Sequence, residues 1–492
     1  MTRQLAEERR YRSTLYVGGA WVAPSSTDTL DVISPSTEEC IGRTPAANAQ
    51  DVDAAVVAAR AALDEPGGWG SWTPAQRASA MDAMADVFEE QSDEYLTLQV
   101  VEGGKPLASL QHRPNRPAEL LRYFAGLARA LVPAEIRPSP EVRSSGSRTT
   151  LVRRQTRGVT GAIVPYNAPL TLAMYKVGPT LALGGTVVVK GPPQAPLDLY
   201  YLAEAAARVG IPPGVVNILP GGRAAGEALV EHPGIAKVGF TGSSAAGARI
   251  AEVCGRLLKP VTLELGGKSA AILLEDVDLS AFVAALPALT FPASGQNCFV
   301  HSRILAPRRR YDDVVEAVTE QVRRLVTGDP LDLETQVGPL ITREHRDRVE
   351  AYIQSGIDEG ARLTTGGGRP SDLDRGWYVS PTVFADADNA MTVCREEIFG
   401  PVVAVIPYGS EDEAIALAND SDFGLAGSIW TTDIDHGIAL TERVDTGSIG
   451  VNGYGFNTAA PFSGRKQSGL GTELGVEGLA EYVQYQSVHL PW

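Results

Sequence analysis

Short runs of β-branched residues alternate with helical stretches between residues 158 and 265. The runs are Val159 to Val164, Thr186 to Val189, Val215 to Leu219, Lys237 to Phe240 and Val261 to Leu265. Between the second and third runs, Pro196 to Val209 has a helical apolar period and stops at Gly210. Repeated alternation of this kind predicts parallel strands joined by right-handed crossovers. The sequence therefore predicts an α/β fold built on a Rossmann-like, doubly wound parallel sheet, which is the usual scaffold for a dinucleotide.

Three further regions complete the predicted architecture. Helices are expected at Asp51 to Leu63 and from Thr73-Pro74 onward, where Thr caps the helix and Pro occupies its first turn. A second alternating region over 300–430 predicts a second α/β domain. We expect a dinucleotide-binding domain at 1–133 and 156–266 and a catalytic domain at 267–478. The segments 134–155 and 479–492 read as exposed β structure, a small oligomerisation arm, because long strand edges need a partner.

Charge and cysteine usage exclude several classes of protein. The 492 residues carry 43 Lys and Arg against 59 Asp and Glu, a net charge of −16, which opposes broad binding to nucleic acid or anionic membranes. Neither a secretory signal nor a membrane-spanning stretch is evident, so a cytoplasmic location is expected. The four cysteines form no CxxC pair and the six histidines show no HxxxH or HExxH spacing, so free thiols and no metal site are expected.

Two residues are candidates for covalent chemistry. Cys298 follows Gly295-Gln-Asn in a predicted bend, and Glu264 ends an apolar strand within Leu263-Glu-Leu-Gly-Gly-Lys. A lone intracellular cysteine is commonly a small core residue, but a carboxylate in an apolar strand end is costly unless it is paired or protonated. Such a carboxylate is typical of a general base with a raised pKa. Rapid alkylation of Cys298 is expected if its surroundings lower the pKa of its thiol.

Three other strand ends carry polar groups or small residues. Asn167 lies between two prolines in Val164-Pro-Tyr-Asn-Ala-Pro and is either a turn residue or a rigid oxyanion donor. Lys190 ends Thr186-Val-Val-Val-Lys, where it either reaches solvent or meets a dinucleotide. Phe240-Thr-Gly-Ser is either an ordinary tight turn or an approach for a pyrophosphate at a helix N-terminus. Gly242-Ser-Ser-Ala-Ala does not fit the G-x-S-x-G pattern of serine hydrolases.

Taken together and in this order, eight motifs resemble the aldehyde dehydrogenase superfamily from about Tyr16 to the C-terminus. They are Pro165-Tyr-Asn-Ala-Pro, Val189-Lys-Gly-Pro, Phe240-Thr-Gly-Ser, Leu263-Glu-Leu-Gly-Gly-Lys, Gly295-Gln-Asn-Cys, Glu396-Glu-Ile-Phe-Gly-Pro, Asn419 with Phe423-Gly-Leu, and Pro461-Phe-Ser-Gly with Lys466 and Ser468-Gly. The resemblance implies NAD(P)-dependent oxidation of an aldehyde to a carboxylic acid by the hydrolytic type of enzyme.

The resemblance also implies roles for individual residues. Cys298 would attack the aldehyde, Asn167 would hold the oxyanion with the Cys298 backbone N–H, and Glu264 would activate the water that hydrolyses the thioester. Glu473 matches a position proposed for proton relay. The implied cofactor contacts are Pro165, Tyr166, Lys190, Gly242, Ser243, Leu265, Glu397 and Phe399. NAD is the expected cofactor, the protein is expected to be a homo-oligomer, either a dimer or a tetramer, and no metal is implied.

Three departures from the family pattern bear on specificity. Tyr166 replaces the common Trp, Ala168 replaces an aromatic residue and should widen one wall of the substrate tunnel, and Pro193 replaces a Glu three residues after Lys190. The last change predicts that NADP is tolerated. An acyl-CoA-forming enzyme and a catalytically silent relative are the alternatives; Glu264 disfavours the first, and Cys298 with Asn167 the second. The substrate stays open among aliphatic, terpenoid and aromatic aldehydes.

Overall fold

The computed structural model of the chain describes residues 7–111, 116–138 and 149–490. Parts of the predicted arm, 139–148 and 491–492, lie outside the described residues. The strands are β1 Leu15–Val17, β2 Ala20–Val22, β3 Thr29–Ile33, β4 Cys40–Pro45, β5 Ala134–Pro138, β6 Thr149–Thr156, β7 Val159–Ile163, β8 Thr186–Gly191, β9 Val216–Pro220, β10 Lys237–Thr241, β11 Val261–Glu264, β12 Ser269–Leu273, β13 His301–Pro307, β14 Arg362–Thr365, β15 Thr382–Ala385, β16 Val402–Tyr408, β17 Phe423–Gly424, β18 Gly427–Trp430, β19 Gly450–Val451, β20 Arg465–Lys466, β21 Gly469–Leu470 and β22 Val483–Leu490.

Helices flank these strands. They are α1 Glu7–Arg10, α2 Ala49–Asp64, α3 Pro74–Glu90, α4 Ser92–Gly103, α5 Ala108–Gln111, α6 Arg116–Ala130, α7 Pro169–Ala182, α8 Tyr200–Val209, α9 Arg223–Glu231, α10 Ser244–Arg256, α11 Leu279–Thr290, α12 Tyr311–Arg323, α13 Arg343–Asp358, α14 Thr392–Arg395, α15 Glu411–Asn419, α16 Ile434–Thr441 and α17 Gly475–Ala480.

The first sheet has eight strands in the order β2-β1-β9-β8-β7-β10-β11-β21. Its five central strands are parallel, and every residue of β7, β8, β9 and β10 is buried, which explains their continuous β-branched runs. In chain order these strands run 3-2-1-4-5, so the strand order reverses between β7 and β10. Ligands of such sheets bind at this reversal, beyond the carboxyl ends of the strands. The predicted Rossmann-like architecture is confirmed.

The second sheet has seven strands in the order β14-β15-β16-β13-β12-β18-β19. All neighbours in it are parallel except β14 and β15. The chain passes from the first sheet to the second between Glu264 and Ser269, which brackets the domain boundary expected at residue 266. That boundary remains a prediction about independent folding units, although the second α/β layer itself is present.

Local signals account for the helix ends that matter to the scaffold. The Thr73 hydroxyl accepts a hydrogen bond from the Gln76 backbone N–H, and the Gln76 side-chain oxygen accepts one from the Thr73 backbone N–H, forming a capping box with Pro74 in the first turn. Gly210 ends α8 with φ of 76°, a left-handed conformation that favours glycine. Both ends agree with the sequence prediction.

A three-stranded antiparallel sheet in the order β22-β6-β5 forms the arm. All eight residues of β22 pair with β6, from Val483 opposite Thr156 to Leu490 opposite Thr149. The strand expected from Leu479 onward begins instead at Val483. Helix α17 extends to Ala480, and Leu479 is buried in the hydrophobic core that also contains Val187 and Val189 of β8. The outer edges of β22 and β5 are left without a partner strand in the described part of the chain.

Two features are absent from residues 7–111, 116–138 and 149–490, the part of the chain that the structure describes. Every helix in these ranges is too short or too polar to cross a bilayer. In the same ranges, no cluster of three or more His, Cys, Asp or Glu side chains is arranged to hold a metal ion.

Candidate active site

The candidate site lies at the carboxyl edge of the first sheet, against the second sheet. A cavity of about 1110 Å³ opens there, and its wall includes Cys298, Glu264 and Asn167. Asn167 follows β7, Glu264 is the last residue of β11, and Cys298 lies in the loop between α11 and β13. The structure therefore brings together three side chains that the sequence separates by up to 131 positions. The parallel strands of the first sheet place Asn167 and Glu264 at one edge, and the loop before β13 brings Cys298 to them.

The loop before Cys298 has an unusual backbone. Ala293, Ser294 and Gly295 have φ angles of 49°, 61° and 77°, so three consecutive residues are left-handed, two of them with a Cβ. A Cβ added at Gly295 would lie 2.1 Å from the Gly400 carbonyl oxygen, so only glycine fits. The Ser294 hydroxyl donates to the Gly338 carbonyl at 2.8 Å. These contacts hold the loop that presents Cys298.

The thiol of Cys298 is half-buried, whereas Cys254 and Cys394 are buried and Cys40 is exposed. Burial raises the pKa of Cys298 well above its ordinary value, and the negative charges of Glu264 and Glu397 raise it further. The condition for rapid alkylation, a lowered thiol pKa, is therefore not met here. The reason is that the carboxylates converge on the thiol from β11 and from the loop before β16.

Glu264 is 2% exposed, and its Oε1 atom has no hydrogen-bond partner in the described residues. Burial raises the pKa of Glu264 well above its usual value and the charge of Glu473 adds to that shift, while Lys176 and the Cys298 thiol oppose it. The predicted raised pKa is thus present. A carboxyl group in this state takes up a proton readily near neutral pH.

The side chain of Asn167 is buried and held from one side. Its Nδ2 donates to the Gln296 carbonyl at 2.9 Å and makes a longer contact of 3.4 Å with Asn297 Oδ1. Gln296 in turn accepts from the Ile341 backbone N–H at 3.0 Å, so the support extends into the second sheet's loops. One amide hydrogen fixes the side chain, and the other is weakly held and can turn toward an oxyanion.

A helix N-terminus forms the opposite end of the cavity. Gly242 and Ser243 follow β10, Ser243 caps α10 by accepting from the Ala246 backbone, and both line the cavity. A Cβ at Gly242 would lie 2.5 Å from the Phe240 ring, so a larger residue would displace that ring. Backbone N–H groups at such a terminus suit a pyrophosphate. This arrangement fits the pyrophosphate of a dinucleotide.

Glu397 and Phe399 approach from the second sheet. Glu397 Oε1 accepts from the Gly267 N–H at 3.0 Å, and a Cβ at Gly266 would lie 2.5 Å from Glu397 Oε2. Burial raises the pKa of Glu397 to about 7. Phe399 is left-handed, with φ of 59°. Both side chains line the cavity near Cys298, as their predicted contacts with the nicotinamide ribose and ring require.

His345 is a site residue that the sequence analysis missed. Its Nε2 is 2.7 Å from the Phe399 carbonyl, and its ring lies 6.2 Å from the rings of both Tyr166 and Phe399. It therefore holds the left-handed Phe399 in place. The sequence offers little signal, because His345 is one of several polar residues in an exposed helix, α13.

Of the four remaining predicted cofactor residues, three line the cavity and one does not. Pro165, Tyr166 and Leu265 line the cavity, whereas Lys190, although described, is not part of its wall. Lys190 is buried, burial lowers its pKa to about 8, and within the described chain its ammonium group has no hydrogen-bond or ion-pair partner. A phosphate group or the hydroxyl oxygens of a ribose could supply the partner that this buried ammonium group lacks among the described residues.

Lys176 and Glu473 form a buried ion pair behind the site. Lys176 Nζ lies 2.5 Å from both Glu473 Oε1 and Thr241 Oγ1, and both charged side chains are almost completely buried. The role of Lys176 was missed, although a single charge in the apolar helix α7 was a usable signal, since a buried charge needs a partner.

Comparisons with known proteins agree with this geometry. Residues 21–488 match the family model described as the aldehyde dehydrogenase family. The chain is 49% identical to geranial dehydrogenase of Castellaniella defragrans, over 97% of this chain and 98% of that protein. It is 37% identical to the chloroplastic betaine aldehyde dehydrogenase of Amaranthus hypochondriacus, over 96% and 95%.

A solved structure is similarly close. The crystal structure of a Mycobacterium tuberculosis aldehyde dehydrogenase complexed with NAD+ is 46% identical and superposes with a TM-score of 0.94, covering 98% of this chain and 99% of that one. The sequence resemblance is confirmed.

Proposed function

This chain belongs to the aldehyde dehydrogenase family, and from that premise we propose that Cys298, Glu264 and Asn167 carry out its NAD-dependent oxidation of an aldehyde to a carboxylic acid. The observation that carries the proposal is the convergence of these three side chains on one cavity that also reaches a dinucleotide-type helix N-terminus. Roles are assigned from what each group can do chemically at its position.

Cys298 begins the reaction when its thiol loses a proton to water in the cavity and its sulfur forms a bond to the aldehyde carbon. The carbonyl oxygen becomes an oxyanion, which the Asn167 amide and the Cys298 backbone N–H stabilise. Bound NAD supplies the acceptor for the hydride that leaves this carbon. The product on Cys298 is a thioester.

Glu264 completes the cycle by removing a proton from water as the water attacks the thioester carbon. The carbon–sulfur bond breaks, the thiol is restored and the carboxylic acid leaves. The raised pKa of Glu264 suits this step, because it makes the carboxylate a stronger base toward water. Lys176 and Glu473, paired behind Glu264, are suited to pass that proton onward.

The direct test follows the absorbance of reduced cofactor with a panel of aliphatic, terpenoid and aromatic aldehydes, with and without coenzyme A. Formation of carboxylic acid at a rate independent of coenzyme A supports the proposal. Acyl-CoA as the product would assign the protein to the acyl-transferring class. Absence of cofactor reduction with every aldehyde would favour a catalytically silent relative.

We expect NAD to be used and NADP to be tolerated. Pro193 can neither accept hydrogen bonds from the adenosine ribose nor repel a 2′-phosphate, and the unpaired Lys190 lies three residues away. Pro193→Glu should shift the ratio of kcat/KM values toward NAD by ~1–3 kcal/mol through one charged hydrogen bond. Pro193→Gln, which lacks the repelling charge, is the matched control and should shift it less. A wild-type enzyme that rejects NADP by several orders of magnitude would refute this account.

We propose that the arm joins subunits into a dimer or tetramer. Tyr485 on β22 is 63% exposed and Ile136 on β5 is 67% exposed, so apolar surface accompanies the unpaired strand edges. Deleting residues 483–492, while keeping the buried Leu479, should lower the mass measured by light scattering. Tyr485→Asp is a milder variant expected to weaken the assembly. A full-length monomer, or a deletion variant of unchanged mass, would contradict this role.

A further inference from the structure

The end of the cavity beyond Cys298 is lined by aromatic rings. Phe456 lies 4.8 Å from both Phe299 and Phe462, measured between ring centroids, and all three rings face the cavity. Tyr175 and Ala168 lie on the wall as well, and the small Ala168 leaves room for a branched substrate. Rings alone would attract a cationic ligand as readily as an apolar one.

A guanidinium group on the same cavity wall favours an apolar ligand over a cationic one. Arg116, the first residue of α6, lines the same part of the cavity, whereas its partner Glu119 does not. Arg116 Nη1 lies 2.8 Å from Glu119 Oε2 and 3.3 Å from Thr458 Oγ1, and Thr458 donates to Glu119 at 2.6 Å. The cation therefore faces the cavity and its counter-charge lies behind it.

The ionisation of this pair follows from its contacts. Burial opposes the charged form of Glu119, but hydrogen bonds from Thr458 and Arg116 outweigh it and hold the pKa of Glu119 below its usual value. Arg116 also contacts Thr458, two residues after Phe456, which places the guanidinium beside the aromatic end of the cavity.

A second cation lines the cavity while the carboxyl groups near it do not. Lys105 also lines the cavity, and the carboxyl groups that act on it, those of Glu102 and Asp198, are buried outside the wall. The carboxylates that do line the cavity are those of Glu264, Glu396, Glu397, Asp420 and Asp422, and the Asp422 backbone is linked through the Gln467 backbone to Ser244 at the start of α10. The substrate end thus presents cations and aromatic rings.

We infer that the substrate is an uncharged, bulky apolar aldehyde and that Arg116 is the specificity-determining residue that excludes aldehydes carrying a positive charge. The inference deepens the proposed function and rests on it. A cationic substrate would meet the like charge of Arg116 at the cavity wall, which costs affinity.

Two isosteric aldehydes separate charge from shape. Betaine aldehyde carries a trimethylammonium group, and 3,3-dimethylbutanal carries a tert-butyl group of nearly the same size. The quantity measured is the ratio of kcat/KM for the neutral aldehyde to that for the cation, with NAD at saturation. We expect the wild-type ratio to exceed about 10, because the guanidinium of Arg116 repels the trimethylammonium group.

Variants of the pair should move this ratio in opposite directions. Arg116→Met removes the cation, leaves Glu119 uncompensated and should lower the ratio at least about tenfold. Glu119→Gln keeps the guanidinium and should raise the ratio. Arg122→Met is the matched control, because Arg122 lies on the same helix, is paired with Asp86 and Glu89 outside the cavity, and should leave the ratio unchanged.

The outcomes are distinguishable. Wild-type protein that oxidises both isosteres equally well, or an Arg116→Met variant with an unchanged ratio, overturns the inference but leaves the proposed function intact. Wild-type protein that reduces no NAD with any aldehyde overturns both. If thermal unfolding shows that Arg116→Met does not fold, Glu119→Gln provides the test. A ratio of neutral to cationic kcat/KM that stays constant or falls in Glu119→Gln refutes the inference.

Discussion

Cys298→Ala should abolish aldehyde oxidation while the protein still binds NAD. The substitution removes the sulfur that forms the bond to the aldehyde carbon, and the residues positioned for the dinucleotide, such as Ser243 and Glu397, come from other elements. Loss of a nucleophile of this kind lowers kcat by roughly 10⁴-fold or more. Reduced cofactor is followed by absorbance, and NAD binding is measured separately by calorimetry.

Cys40→Ala is the matched control for this experiment. Cys40 is exposed and lies on β4, far along the chain from the cavity wall, so its variant should keep full activity. An active Cys298→Ala enzyme would remove Cys298 from the mechanism. Loss of NAD binding together with activity would indicate instead that the left-handed loop before Cys298 had rearranged.

Glu264→Gln should separate the two halves of the reaction. Hydride transfer needs only the thiol, whereas hydrolysis of the thioester needs a base, so one equivalent of reduced cofactor should appear rapidly and then turnover should slow by about 10²–10⁴-fold. Rapid mixing measures the burst, whose amplitude should equal the concentration of active sites. Gln has the same shape as Glu, so the buried position stays filled.

The pH profile provides an independent readout of the same residue. Because burial and Glu473 raise the pKa of Glu264, its carboxylate form becomes populated as the pH rises toward that pKa. Wild-type steady-state turnover should therefore increase with pH over this range, and Glu264→Gln should lose the increase. A missing burst in the variant would show that Glu264 also takes the proton from Cys298, whose own pKa is raised.

The arrangement of strands and helices could be predicted from the sequence because each element has a local residue pattern. Buried parallel strands need unbroken β-branched runs, and their order places the residues after β7, β10 and β11 at one edge. Asn167, Ser243 and Glu264 could therefore be located together before any coordinates. Cys298 was assigned through its resemblance to a family motif.

Other features depend on contacts between distant segments and have no local signature. Ala293 and Ser294 are left-handed without being turn-forming residues, since the close approach of Gly295 to Gly400 imposes the loop's path. The sequence left the direction of the Cys298 pKa open, because burial of the thiol and the approach of Glu397 from the second sheet both depend on the tertiary fold. Arg116 faces the cavity only because Thr458 and Glu119 hold it there.

The ion pair between Lys176 and Glu473 joins residues 297 positions apart, and this separation has a consequence during synthesis. Lys176 emerges from the ribosome with the first strands of its sheet, but its carboxylate partner is translated near the end of the chain. A buried charge without its partner costs about 3–5 kcal/mol, so chains that stop before Glu473 are left with a destabilised first sheet.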